Sequence, residues 1–341
     1  MLKTIVVGLF MVFIALTYQA IIPPPPKKSY STNLFIASRI KLRDGRHLVY
    51  KEYGVPKEIA KYKAIFIHSF GGSKYEAGAI TSGVLLEELG VYLVSFDRPG
   101  YGGSDPHPKR TMKSIALDIE ELADQLDLGS KFHLIGYSMG GLLTWACLKY
   151  IPQRLEKVAM LAPAINYWWP GFPSNLTKEA FTQQRPWDQW ALNVAHYAPW
   201  LVYWWNTQTW FPRLSIIDGE SNWSQKDLEI ISKFDMEQLQ MAYVVQQGEY
   251  ESLHRDIIIW LQNWTFDPID LKNPFPNKEG YVHLWQGDED CLVPVTLQRY
   301  IMKKLPWIKY HELQHSGHIF PYDDDLKHVI WKNFFNGEKN N

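Results

Sequence analysis

A chain of 341 residues that is 46% hydrophobic can bury a sizeable core, and in an α/β protein it can do so as one unit. The formal net charge of −1 gives no clustered basic surface, so a nucleic-acid partner is not expected. Two cysteines, Cys147 and Cys291, cannot build a disulfide framework and read as ordinary buried thiols.

The chain begins with an uncharged apolar run from Thr4 to Ile22, followed by four prolines and Lys27-Lys28. Roughly 20 apolar residues match the thickness of a bilayer as a helix. A cleavable signal peptide is the alternative, but cutting after Ala20 would place Tyr18 at the −3 position, where a small residue is wanted. Residues 1–28 are therefore expected to be a single-pass anchor with a stiff extended proline spacer, in an endomembrane such as the endoplasmic reticulum. Secretion after signal-peptide removal is the other outcome. Lys3 on one side and Lys27-Lys28 on the other nearly balance, so charge does not choose an orientation. Three glycosylation sequons, at Asn175, Asn222 and Asn263, matter only if the catalytic part is lumenal.

Short alternating runs at Ile36–Leu42 and His47–Tyr53, around Asp44-Gly45, predict a hairpin. Continuous apolar runs follow at Ala64–His68, Val91–Asp97, Phe132–Ser138 and Val158–Leu161. Stretches with helical spacing, Ser114–Leu126 and Met139–Tyr150, lie between them. Such strands alternating with helices predict a mostly parallel sheet covered on both faces. From Ile165 to Asn273 strand signals vanish and Trp-rich helical stretches take over; eleven of the 15 tryptophans lie between Trp168 and Trp264. At Tyr281 the sheet pattern resumes, with a helix near Val295–Lys304, a strand at Ile308–Leu313 and a last helix near Asp324–Phe335. The expected organisation is a spacer-linked anchor (1–28), a first core half (29–164), a helical cap (165–273) and a second core half (274–341). The cap should cover the carboxyl edge of the sheet, where open α/β sheets bind ligands.

The chemistry-bearing signal is Gly136-Tyr137-Ser138-Met139-Gly140, a G-x-S-x-G turn between a strand and a helix. A serine nucleophile needs an adjacent histidine held by a carboxylate. The order in this kind of site is serine, acid, histidine, with the last two on loops after later strands. Asp290 in GDEDCLVP and His318 in HSGH fit that order, and Asp288, Glu289 and His315 share their loops as rivals. His318 is preferred because Gly317 gives the loop backbone freedom. Two backbone amides should face the oxyanion: Met139 at the amino end of the following helix, and Phe70 in the His68–Ser73 glycine loop. Asp97–Asp105, DRPGYGGSD, carries no nucleophile and reads as a turn that shapes the sheet edge and buttresses the nucleophile loop. It lacks the Lys-Ser/Thr of a phosphate-binding loop. No cofactor or metal is called for by these residues.

With HSFGGS, DRPGYGGSD, GYSMGG, GDEDCLVP and SGH in this order, the chain resembles the α/β-hydrolase superfamily over roughly residues 35–335. It is most similar to capped, plant-type members with an N-terminal hydrophobic segment and a proline spacer. The resemblance implies the α/β-hydrolase fold and hydrolysis of a carboxylic ester through an acyl-enzyme on Ser138. Its relatives also include lyases, C–C hydrolases, acyltransferases and hormone receptors. Ser69 stands where the superfamily usually has glycine after histidine, and its hydroxyl could add a donor at the oxyanion site. In the hydroxynitrile lyases a hydroxyl residue occupies the similar position, but they follow the histidine with lysine, and here Ile319 stands there.

The ring-rich cap suggests partly a packed core and partly a wall for a bulky, flat ligand. A small hydrophobic ester, such as the methyl ester of a terpenoid or indole alkaloid, is the expected substrate, and decarboxylation could follow hydrolysis. The alternatives are a lyase or cyclase with His318 as base, or a non-catalytic receptor. Membrane contact by the tryptophans is a third use for the cap. The sequence assigns no oligomeric state.

Overall fold

The computed structural model describes residues 2–27, 38–233, 241–277 and 280–337. Lys28 at the end of the expected spacer, and Ile36 and Ala37 at the start of the expected hairpin, lie outside the described residues. An eight-stranded sheet runs through the molecule: β1 (Arg39–Lys41), β2 (His47–Gly54), β3 (Tyr62–Ile67), β4 (Val91–Phe96), β5 (Phe132–Tyr137), β6 (Leu155–Leu161), β7 (Tyr281–Gly287) and β8 (Ile308–Leu313). Their spatial order is β1-β2-β4-β3-β5-β6-β7-β8. β1 pairs antiparallel with β2 and β2 antiparallel with β4, whereas β3 to β8 are parallel.

The parallel strands are apolar because both their faces are covered. Every residue of β4 and β5 is buried. On one face the helices Met112–Gln125 and Met139–Tyr150 pack through Ile115, Ile119, Leu122, Leu142, Leu143 and Trp145. On the other, Leu85 and Leu86 of helix Gly83–Leu89 join Trp331, Phe334 and Phe335 of the last helix, Asp324–Asn336. Helix Gly83–Leu89 escaped the sequence reading: at seven residues it is too short to show a period, though Ser82 caps it and Gly90 closes it in the left-handed region.

Between β6 and β7 the described residues carry helices and no strand: Ser174–Thr182, Pro186–Tyr197, Val202–Thr207, Gln225–Ile231 and Met241–Val244, then a π-helical turn at Tyr250–His254 running into Arg255–Leu261. This layer is tied to the sheet by buried charge. Asp256 accepts from Tyr101 Oη at 2.6 Å and pairs with Arg98 at 2.6 Å and Arg110 at 2.9 Å, all buried. Ahead of the sheet, Leu2–Ile21 forms a helix, and Lys3–Ile21 is long and apolar enough to cross a membrane, with none of it buried in the protein.

Candidate active site

Every candidate side chain emerges at the carboxyl ends of the parallel strands. Ser138 follows β5 in a turn with φ 52° and ψ −112°, a conformation costly for a residue with a side chain. The turn is tight enough that a Cβ on Gly140 would lie 2.0 Å from the Ile67 carbonyl oxygen, so β3 and the new helix meet only over a glycine. Met139 is the first residue of helix Met139–Tyr150, where the amides have no intrahelical carbonyl to bond.

The acid and histidine come from the ends of β7 and β8. Asp290 Oδ2 lies 2.8 Å from His318 Nδ1, and His318 Nε2 lies 2.9 Å from Ser138 Oγ. All three residues are buried. Asp290 is held on both oxygens: Gln286 Nε2 donates to Oδ2 at 2.8 Å, and the Leu292 and Val293 amides donate to Oδ1 at 2.9 and 2.8 Å. The rivals face elsewhere. Glu289 pairs with His315 at 3.3 Å on the surface, and Asp288 accepts the Ser316 amide at 3.3 Å.

Ser138 lies three strands from β8, about 14 Å at ordinary strand spacing, so the histidine loop must fold back over β7. Gly287 permits the crossing, since a Cβ there would meet the Ser316 carbonyl oxygen at 2.2 Å. Tyr137 Oη donates to the His318 carbonyl at 3.2 Å. Asp227, from the helix Gln225–Ile231, accepts the Ile319 amide at 2.7 Å and bonds Ser224 in that helix's capping box. The role of Gly317 thereby differs from the one its sequence suggested. It is not in the left-handed region; a Cβ would lie 2.2 Å from the Asp227 carboxylate, so glycine is needed for close approach.

Burial pushes His318 toward its neutral form, but Asp290, Asp227 and Glu76 outweigh it and raise its pKa above 6.5. Glu76 is the residue that sequence reasoning missed most completely. It is buried beneath the loop after β3, accepts the Ser69 amide at 2.6 Å and the Ser69 hydroxyl at 2.5 Å, and receives Tyr322 Oη at 2.9 Å. Burial raises its own pKa, and the Ser69 and Tyr322 hydrogen bonds restrain the rise. No local motif marks it. Ser69 thus lines the site with its hydroxyl bound to Glu76 and not presented as a free donor. His68 is buried and neutral, held down by burial and by Arg98. Its Nε2 accepts the Arg98 amide at 3.1 Å, leaving Nδ1–H to donate to the Ser69 carbonyl at 2.8 Å.

The segment Asp97–Asp105 lies along β2, where the Asp97 amide donates to the Val49 carbonyl at 2.8 Å and the Asp105 amide to the His47 carbonyl at 2.9 Å. Its side chains reach the loop after β3 and the helical layer. Arg98 Nη2 donates to the Ser69 carbonyl at 3.0 Å, and Asp97 takes the Lys74 amide, Lys74 Nζ and Tyr243 Oη.

Two chambers open on either side of Ser138 and His318. The larger, about 360 Å³, has Ser69, Phe70 and Glu76 in one wall and aliphatic Ile216, Ile217, Leu253 and Leu292 among the others. The smaller, about 50 Å³, is reached past Phe70 and Met139 and includes Gln184, Asp188 and Ser221. Trp223 is the only tryptophan of the larger chamber and Trp260 of the smaller, so the tryptophans are mostly core or outer surface and not pocket wall. Among the described residues no three His, Cys, Asp or Glu side chains converge as metal ligands would.

A buried serine, histidine and aspartate in hydrogen-bonded series, on the strand ends of a mostly parallel sheet, define a hydrolase-type site on an α/β scaffold. Residues 65–325 match the alpha/beta hydrolase fold family, and the chain belongs to it. Lipase 1 of Psychrobacter immobilis is 30% identical over 139 residues, which are 40% of this chain and 41% of that lipase. The chain thus matches less than half the length of this curated relative. Among solved structures, an esterase from Exiguobacterium antarcticum aligns with a TM-score of 0.60 at 18% identity, over 88% of this chain and 99% of that one. An enol-lactonase from Burkholderia xenovorans aligns at 0.59 and 16% identity, over 88% and 100% of the two chains. A thermophilic esterase from Thermogutta terrifontis aligns at 0.57 and 17%, over 86% and 97%. At these identities the likeness is one of fold.

Proposed function

We propose that this protein is a serine hydrolase of carboxylic esters. The observation that carries the reading is the unbroken series Asp290–His318–Ser138, at 2.8 and 2.9 Å, on the floor of a largely apolar chamber. Neutral His318, with its proton on Nδ1 facing Asp290, takes the Ser138 hydroxyl proton on Nε2 as Oγ attacks the ester carbonyl carbon. The oxyanion is received by the Met139 and Phe70 amides. Nε2–H then passes its proton to the departing alkoxide, leaving an acyl-enzyme and a free alcohol. Water enters and gives a proton to Nε2 as its oxygen bonds the acyl carbon; Nε2–H then returns that proton to Ser138 Oγ as the acyl–oxygen bond breaks, releasing the acid. Asp290 orients the ring and stabilises its charged form without taking the proton.

Residues 165–273 serve as a cap over this site, and residues 1–28 as an anchor and spacer that hold the enzyme at a membrane. The isoleucines and leucines of the lining, beside a single tryptophan, favour a flexible hydrophobic acyl or alcohol group over the flat alkaloid or terpenoid ester that the tryptophan count suggested. With the Ser69 hydroxyl bound to Glu76, the lyase reading gains no spare donor.

A fluorophosphonate probe applied to the full chain in detergent should label Ser138 alone, as read by mass spectrometry. Ser138→Ala should lose the label and lower kcat at least ~10³-fold while the circular dichroism is unchanged. Absence of labelling on folded wild type would overturn the serine-hydrolase reading and leave a lyase, a cyclase or a ligand-binding protein.

A further inference from the structure

The largest solvent-facing aromatic side chains after residue 180 are clustered in one stretch of the cap. Trp190, Trp200 and Trp210 are 62%, 61% and 77% exposed, and Trp187, Tyr197 and Phe211 accompany them. Trp187, Trp190 and Tyr197 fall on one side of helix Pro186–Tyr197 by their spacing. Trp187 contacts Phe211, which stacks on Trp205; Trp205 touches Trp204, and Trp204 touches Trp210, all with ring centroids within 6.4 Å. Trp187, Phe211 and Trp210 are thus linked through Trp204 and the buried Trp205, and with Trp190, Tyr197 and Trp200 exposed in the same stretch the cap presents more apolar ring surface than single exposed residues would.

The apolar N-terminal helix leads to the same part of the cap. The helix approaches Val202–Thr207, and the Lys27 amide donates to the Gln247 carbonyl at 2.9 Å. Pro24, Pro25 and Lys27 share a cleft with Tyr203 and Thr207. Between the helix end at Ile21 and Lys27 the chain can span about 20 Å at most, so wherever the helix enters a membrane this part of the cap is held within that distance of the bilayer surface. Tryptophan is the side chain that best suits that zone, with an apolar body and a polar N–H.

We propose that the Trp187–Phe211 face of the cap docks on a neutral phospholipid bilayer beside the exit of the N-terminal helix. The chain after Phe211 runs into the wall of the larger chamber at Ile216 and Ile217, so the docking face and the chamber wall are joined by a few residues of chain. The substrate class this serves is an ester dissolved in the bilayer, a point that rests on the ester-hydrolase reading above.

The N-terminal helix contains no tryptophan, so tryptophan fluorescence reports the cap and not the anchor. Full-length protein would be reconstituted into phosphatidylcholine vesicles whose acyl chains are brominated near the headgroup or at their ends. Bromines near the headgroup should quench part of the emission and those at the chain ends should not. The Trp190→Ser/Trp200→Ser/Trp210→Ser variant, altered only at exposed rings, should lose most of that quenching while still floating with the vesicles. It should also hydrolyse a long-chain ester held in the vesicles several-fold more slowly than wild type, with fluorophosphonate labelling of Ser138 unaltered. Wild type that floats yet shows no quenching would overturn the docking face and leave the anchor standing. Failure to float would overturn both. Labelling lost in wild type would count against ester hydrolysis alone.

Discussion

His318 carries the strongest chemical consequence of the site. Its pKa stands above 6.5 because the carboxylates of Asp290, Asp227 and Glu76 outweigh burial. The proposed mechanism starts from neutral His318, so kcat/KM should fall as pH drops, with an acid-limb midpoint above 6.5. Asp290→Asn removes the largest of the raising charges and the orienting acceptor. Its acid limb should move to lower pH and its kcat should fall on the order of 10⁴-fold; a pH–rate series on both proteins checks this. The same shift has a stability sign. The folded state holds the His318 proton more tightly than the unfolded chain does. The stabilisation is therefore complete below about 6.5 and is lost as pH rises through the folded value. At this scale the sequence was most informative about Ser138, Asp290 and His318, because their motifs are local. Glu76 was invisible, since nothing within the chain near Tyr75 or Ala77 announces a carboxylate that will sit under Ser69.

At the scale of elements, the turn after β5 is a local construction, whereas the histidine loop depends on another part of the chain. Ser224-Gln225-Lys226-Asp227 has the spacing of a capping box, and as such marks a helix start. Only the fold brings its carboxylate onto the Ile319 amide. This contact makes Asp227 a positioning residue for His318 through the loop backbone and through its charge. Asp227→Asn should lower kcat about ten- to a hundredfold. The discriminating readout is the acid limb, which should shift to lower pH because one raising charge is lost. An unchanged midpoint with reduced kcat would mean that the residue only caps its helix. The resumption of the sheet after the insert was legible because β7 opens with the largely apolar run Tyr281–Trp285, and the mixed strand Ile308–Leu313 matches its expected bounds. Helix Gly83–Leu89 was not, because two turns carry too few residues for a period to emerge.

At the scale of the whole molecule, the helical layer between β6 and β7 is joined to the rest through buried ions. Asp256 in that layer faces Arg98 and Arg110 from the segment after β4, and Arg98 in turn holds the Ser69 carbonyl. Removing the carboxylate leaves two guanidinium groups buried without their counter-charge. Asp256→Asn should therefore cost about 3–5 kcal/mol in a urea unfolding experiment. Through Ser69 it should also reduce turnover in the molecules that remain folded. The tryptophans show the limit of composition at this scale. Their number suggested an aromatic pocket, yet burial divides them among the core, one ring in each chamber and an outer surface.

The amino-acid sequence by itself determined the strand and helix alternation, the nucleophile turn, the chain order of serine, acid and histidine, and the apolar N-terminal segment. Each of these is a short-range pattern of period, turn geometry or residue type. The tertiary structure alone decided that β8 returns its loop across β7 over Gly287. It also decided that Asp227 and Glu76 charge the surroundings of His318, and that the larger chamber is lined by aliphatic side chains beside a single tryptophan. Those features arise between residues far apart in the chain, where contact is set by packing and by the need to pair buried charge, and no local spacing encodes them.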